Sequence, residues 1–130
     1  MKFVIGVGSN SADKKQRMDA AIEYLASWLD EFECSSVYST RAFNGIDADY
    51  LNAVVCGCCC LPVEEVVSRL KEYESASGRN HSEKNVVIDL DLVLVDDDVL
   101  RPRDMEREYF MLGYRELMGN CHEPSSRILR

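Results

Sequence analysis

The sequence has no apolar run approaching the roughly 20 residues that a bilayer-spanning helix needs. Its first stretch, MKFVIGVGSN, is briefly apolar but lacks a signal-type apolar region with a cleavage site. There is no excess of positive charge: 15 Lys and Arg face 23 Asp and Glu, for a formal net charge of -8. That balance argues against a protein that coats nucleic acid or sits on an anionic membrane. It leaves room for a small anionic ligand held by a local cation or a metal. Paired zinc-site spacing is absent, although there are six cysteines. Four of them, Cys56, Cys58, Cys59 and Cys60, crowd into VVCGCCC, where cysteine serves as a small apolar residue of a strand. His81 and His122 have no triad partner, and Ser9 and the cysteines lack a nucleophile constellation. No linker, long repeat or low-complexity run divides the chain. The expectation is one cytoplasmic domain spanning residues 1–130, with no nucleic-acid or membrane partner. Oligomeric state leaves no mark on the sequence.

What is present is an ordinary core composition, with 46% hydrophobic residues in a chain of 130. A domain of this size buries roughly two thirds of its unfolded surface. Met1 to Gly8 reads as a strand, followed by turn residues Ser9 and Asn10. Gly6 and Gly8 are read as small residues required by that strand-to-helix turn. Met18, Ile22, Leu25 and Leu29 recur at helical spacing and predict a helix over 11–31. Its early Lys14 and Lys15 suit the helix dipole poorly, which favours a later start. Glu33 to Phe43 reads as a second strand, 44–49 as a loop, and YLNAVVCGCCC as a third strand. Pro62 suits the first turn of a second helix, and Gly78 suits its stop. A polar loop, 79–85, precedes a last strand, and a helix runs from Asp104 to about Leu117. This order predicts an α+β, ferredoxin-like β-α-β-β-α-β fold. It has an antiparallel sheet, helices on one face and an added C-terminal helix.

The last strand, VVIDLDLVLVDDD, carries the first chemical signal. Side chains two apart share a face. Val86, Ile88, Leu90, Leu92 and Leu94 therefore form one apolar face, expected to meet the helices. Asp89 and Asp91 share the other, expected to be open. Two adjacent carboxylates repel, and a divalent cation resolves the conflict: Mg²⁺ takes oxygen ligands, often one or two carboxylates plus substrate phosphates. A solvated sheet face with Arg79 or Lys84 as partners fits the same pattern. Tyr50 and Asn52 also share a strand face. An aromatic beside an amide suits a flat heterocycle, or equally a hairpin entry with a polar surface residue. Glu74, near the end of the second helix, pairs with Arg79 or faces a ligand.

In order, GSN, VYST, DYLNAVV, the Glu74 to Arg79 segment, IDLDLVL and FML resemble the 6-hydroxymethyl-7,8-dihydropterin pyrophosphokinase family of folate synthesis. DYLNAVV and IDLDLVL are the specific parts. The resemblance runs from about Lys2 to Leu117 and implies the same ferredoxin-like fold. It implies transfer of pyrophosphate from ATP to the hydroxymethyl oxygen of the pterin, with release of AMP. It also implies two Mg²⁺ held by Asp89 and Asp91, which with Arg79 form the expected catalytic set. The substrate-binding residues it implies are Thr40, Phe43, Tyr50, Asn52 and Phe110. The nucleotide-binding residues are Glu74, Arg79, Lys84 and Leu92, with Leu92 against the adenine.

The chain departs from the family on the nucleotide side. The arginine-rich loop with its tryptophan is here NHSEKN, with Lys84 as its basic residue. Val86 stands where an arginine precedes the strand, and the histidine after a proline is missing. Arg101, Arg103 and Arg107 lie nearby. Two readings follow: an enzyme with weakened nucleotide affinity, or a catalytically weak or inactive relative that binds a pterin-like molecule.

Overall fold

A computed structural model of the chain describes residues 1–41, 49–78 and 86–121. Its strands are β1 (Lys2–Ser9), β2 (Asp30–Cys34), β3 (Tyr38–Thr40), β4 (Tyr50–Cys58), β5 (Asp89–Val95) and β6 (Asp98–Val99). Its helices are α1 (Lys14–Ala26), α2 (Val63–Ala76) and α3 (Glu108–Cys121). All pairings are antiparallel, in the order β2-β4-β1-β5-β6, with β3 also on β4. Together β2 and β3 make up the expected second strand, and with that merger the sheet has the ferredoxin-like order. The strand is interrupted because Ser36 turns to α3: its N–H and Oγ both donate to the Glu116 carboxylate, at 3.0 and 2.8 Å. The expected loops at 44–49 and 79–85 lie outside the described residues, Asp49 excepted.

The first helix is shorter than its apolar spacing predicts. It starts at Lys14 and ends at Ala26, and Glu31 takes a left-handed φ of 52°. Leu29 continues the helical spacing but is buried from the turn into β2. Helix α2 behaves as expected. Glu64 and Glu65 in its first turn complement the helix dipole. Gly78, at φ 88°, ends it in the left-handed conformation that glycine tolerates. The last helix begins later than expected, because Asp104–Glu106 forms a separate 3₁₀ turn. Among the described residues no helix is long and apolar enough to cross a membrane.

Two cores flank the sheet. Phe3, Ile5 and Val7 of β1, with Ala53, Val55, Leu90 and Leu92, pack under α1 and α2. Val4, Val54, Cys56, Val93 and Leu94 pack under Phe110 and Leu117 of α3. The aspartate face is therefore not open throughout, because α3 covers part of it. Strict alternation also fails in β5. The register against β1 shifts between Val4 and Ile5, so that Leu94 opposes Val4 while Leu92 opposes Ile5. Val93 is the extra residue of a β-bulge, and beyond it the faces exchange. Leu94 thus joins the α3 side and Val95 the α1/α2 side, the reverse of the expected assignment.

Helix α3 approaches the sheet closely through Gly113. A Cβ there would lie 2.7 Å from Val54 Cγ2 and 2.9 Å from both Ser35 Oγ and Tyr38 OH. The Gly113 N–H donates to Tyr38 OH at 3.0 Å, and Tyr38 OH donates to the Tyr109 carbonyl at 2.7 Å. Gly113→Ala is expected to destabilise the protein by about 1–3 kcal/mol through overpacking. A lower urea midpoint with an unchanged slope would report it. An unshifted midpoint would mean that α3 rides freely on the sheet.

Candidate active site

The site grows from three strands lying side by side. Gly8 of β1 is registered with Asn52 of β4 on one side and with Asp89 of β5 on the other. Gly6 is likewise registered with Val54 and Asp91. Directly opposed residues of antiparallel strands point to the same face. Asn52 and Asp89 therefore stand about 10 Å apart, two strand spacings, with bare backbone between them. A Cβ on Gly8 would lie 3.0 Å from Asn52 Oδ1 and 3.8 Å from Tyr50 Cδ2. Both glycines lie within β1, as the strand expected over Met1 to Gly8 has them, and they face the site instead of serving the turn that follows. The turn comes later: Asn10, buried, donates its N–H to the Val86 carbonyl at 3.0 Å and accepts the Val86 N–H on Oδ1. That exchange ties the entry of β5 to the end of β1.

Over this floor is a cavity of about 250 Å³. Thr40, Tyr50, Asn52 and Phe110 line it, together with Asp89 and Asp91. Asn52 is buried, and its Nδ2 donates to Thr40 Oγ1 at 2.6 Å. Phe110 is buried with its ring stacked on Tyr114 at 5.4 Å between centroids. One end of the cavity is thus amide, hydroxyl and aromatic, and the other is acidic.

At the acidic end, carboxylate oxygens of Glu74, Asp89 and Asp91 all lie within 4.8 Å of one another. Glu74 reaches the free edge of β5 from α2, where its Oε2 accepts the Leu90 N–H at 2.7 Å. Burial, then the Asp89 charge, pushes the Asp91 carboxyl up to about 7, against the opposing pull of Arg101. Crowded half-buried oxygens whose mutual repulsion calls for a positive charge are the donor set a hard divalent cation such as Mg²⁺ takes. The residues present fit that ion.

Arg101, Asp104 and Tyr109 complete the wall. Arg101 Nε donates to Asp104 Oδ2 at 2.6 Å, and its Nη1 lies 3.8 Å from Asp91 Oδ1. The Tyr109 hydroxyl donates to Asp104 Oδ1 at 2.6 Å. Burial and this bond raise the Tyr109 phenol well above its ordinary range.

Of the residues singled out in the sequence, Asp89, Asp91, Thr40, Tyr50, Asn52 and Phe110 meet in one cavity, with Glu74 beside the aspartates. Leu92 does not join them. It is one residue past Asp91, so alternation turns it to the other face, where it is buried under α1 and α2. The adenine contact expected of Leu92 therefore belongs outside this cavity. Phe43, Arg79 and Lys84 lie outside the described residues. The glycine floor, Asp104 and Tyr109 were missed. Glycines at alternate positions of an apolar strand were the available signal for the floor, since glycine inside a strand marks close approach of a ligand or backbone.

A family model described as 7,8-dihydro-6-hydroxymethylpterin-pyrophosphokinase matches residues 4–119. Two relatives are each named 2-amino-4-hydroxy-6-hydroxymethyldihydropteridine pyrophosphokinase. That of Aquifex aeolicus is 28% identical over 134 residues, covering 95% of this chain and 84% of the relative. That of Synechocystis sp. is 30% identical over 116 residues, covering 86% of this chain and 60% of the relative.

Proposed function

Because the chain belongs to the 7,8-dihydro-6-hydroxymethylpterin-pyrophosphokinase family, we propose that its cavity over Gly6 and Gly8 seats the pterin and that Asp89 and Asp91 hold nucleotide-bound Mg²⁺. The activity is transfer of pyrophosphate from ATP to hydroxymethyldihydropterin in folate biosynthesis. The observation that supports the site assignment is the row Asn52–Gly8–Asp89, which sets an amide and a carboxylate at the two ends of one bare floor.

In this reading the flat ring lies against Gly6 and Gly8. Asn52 hydrogen-bonds its edge, with the amide orientation held by Thr40. Tyr50 and Phe110 supply aromatic wall, and Phe43 extends it on the strength of the resemblance. The hydroxymethyl group then points towards Asp89 and Asp91. Its oxygen bonds to the β-phosphorus of ATP. The bond from that phosphorus to the oxygen bridging the α-phosphate breaks, its electron pair leaves with AMP, and the hydroxyl proton passes to solvent. When bound, two Mg²⁺ supply neutralisation of the phosphate charge, which is most of what such a transfer requires. Asp89 and Asp91 would hold them, with Glu74 fixed behind by the Leu90 N–H. Glu74, Arg79 and Lys84 are assigned to the nucleotide side by resemblance. Use of ATP supports a cytoplasmic location.

The test is purified protein with ATP, Mg²⁺ and hydroxymethyldihydropterin, followed for AMP. Pterin-dependent AMP that disappears on chelation is expected. No AMP at high enzyme, with pterin binding indifferent to Mg²⁺ and ATP, would return the chain to the binding-module reading.

A further inference from the structure

Three arginines lie between β6 and α3, and the cavity, which Arg41 also lines, takes in one of them. Arg101 lines it, whereas Arg103 and Arg107 do not. Arg101 is held from behind. Asp104, 3% exposed, accepts Arg101 Nε on one oxygen and the Tyr109 hydroxyl on the other. A carboxylate taken out of water and bonded at both oxygens is a rigid anchor, since releasing either donor leaves buried charge unpaired. The anchor is tied to the fold on two further sides. The Asp104 N–H donates to the Arg101 carbonyl at 3.1 Å, and the Tyr109 carbonyl accepts Tyr38 OH from β3.

The front of the guanidinium is differently placed. At 3.8 Å, Nη1 is too far from Asp91 for a hydrogen bond, so the contact is a loose ion pair. The Arg101 side chain remains 49% exposed on the cavity side of a buried anchor. It is fixed through Nε, with Nη1 on the side of the acidic end. A guanidinium held in that way keeps terminal N–H donors for the oxygens of a phosphate.

We propose that Arg101 is the cation that takes the nucleotide's phosphate oxygens in this chain, and that Asp104 and Tyr109 are the positioning residues that aim it. It gives up its loose contact with Asp91 when the nucleotide and its metal arrive. It makes and breaks no covalent bond: it donates hydrogen bonds to nonbridging oxygens as charge develops there. The proposal rests on the pyrophosphokinase reading. It assigns to a residue after β6 a role that residues before β5 do not have to fill alone.

The experiment compares wild type with Arg101→Ala, Arg101→Lys and Asp104→Asn. Each is measured for turnover, for calorimetric binding of α,β-methylene-ATP with Mg²⁺, and for binding of pterin alone. For Arg101→Ala, kcat/KM for ATP is expected to fall about a hundredfold, the scale of one lost transition-state donor. Binding of the analogue falls with it, pterin affinity stays within twofold, and dilute guanidinium restores part of the turnover. Lysine recovers less than half of the lost factor, because it keeps charge without the fork. Asp104→Asn shows the Arg101→Ala pattern although Arg101 is still present. If that variant does not fold, Tyr109→Phe carries the same test, with a smaller fall in kcat and unchanged pterin binding. Turnover and analogue binding within twofold of wild type in Arg101→Ala would overturn the proposal and leave the function standing. Equal loss of pterin and nucleotide binding in the positioning variants would overturn the positioning role. Wild type that makes no AMP and binds no analogue would overturn both readings.

Discussion

Asp91→Asn is expected to lower AMP formation by about a thousandfold or more and, in the same protein, to raise stability without metal. The first effect follows from the proposed role of the carboxylate as a Mg²⁺ ligand. Removing one of the paired ligands takes away transition-state charge neutralisation worth several kcal/mol, and each 1.4 kcal/mol is about a factor of ten in rate. The second follows from the surroundings of Asp91. Burial and the Asp89 charge push its carboxyl to about 7, above the ordinary value of about 3.9 in the unfolded chain. Between about pH 4 and pH 7 the folded protein thus keeps a proton that the unfolded chain has lost. Stability falls as pH rises through that window. Asparagine has the same shape and no charge, so the fall disappears. With Arg101 and solvent screening the carboxylate, the gain at pH 8 is on the order of 2 kcal/mol. Urea melts of both proteins at pH 5 and pH 8, with chelator, read it. Parallel pH dependence in the two proteins would show that Asp91 is not the strained group. Mg²⁺ is expected to stabilise wild type near pH 8 and to do so weakly in the variant, because binding requires the deprotonated carboxylate.

Gly8→Leu is expected to weaken pterin binding at least a hundredfold while leaving the fold intact. The new side chain would rise from the floor between Asn52 and Asp89, with its Cβ already 3.0 Å from Asn52 Oδ1. It would fill the space in which the proposed site seats the ring and push the amide off its bond to Thr40. The strand itself loses nothing, since glycine in a strand interior is conformationally costly and leucine is not. Loss of the buried Asn52–Thr40 bond opposes that gain, so the melting temperature is expected to shift by only a few degrees and the fold to persist. Binding of α,β-methylene-ATP with Mg²⁺ should change far less than that of the pterin. Pterin affinity within threefold of wild type would show that the ring binds elsewhere.

The legible parts of the site share a physical basis. Asp89 and Asp91 stood out because polar residues at period two inside an apolar strand can only mean a second face, and that inference holds over the stretch where the strand is regular. Tyr50 and Asn52 are legible for the same reason. The argument fails where local regularity ends. The bulge at Val93 exchanges the faces of Leu94 and Val95, and no pattern in VLVD marks it. The helical spacing of Leu29 is real, but its burial comes from a turn into β2. Glycine near a strand end serves either the turn or a close approach of ligand or backbone, and only the cross-strand neighbours of Gly6 and Gly8 distinguish the two uses. The relation of Arg101, Asp104 and Tyr109 depends on a 3₁₀ turn at Asp104–Glu106 that sets Asp104 inward, whereas the spacing suggested one continuous helix.

The sequence by itself determined the order of strands and helices, the two faces of the aspartate strand and the chemical character of the ends of the site. These are periodic or compositional properties, and a residue's neighbours along the chain suffice to set them. The tertiary structure decided which elements close on one another. It covered part of the aspartate face with α3, brought Glu74 across the edge of β5 to the paired aspartates, turned Leu92 away, and set Arg101 against a buried anchor. Those outcomes depend on contacts between residues far apart in sequence. Their energies arise only when the sheet has formed and its strands hold Asn52, Gly8 and Asp89 in one row.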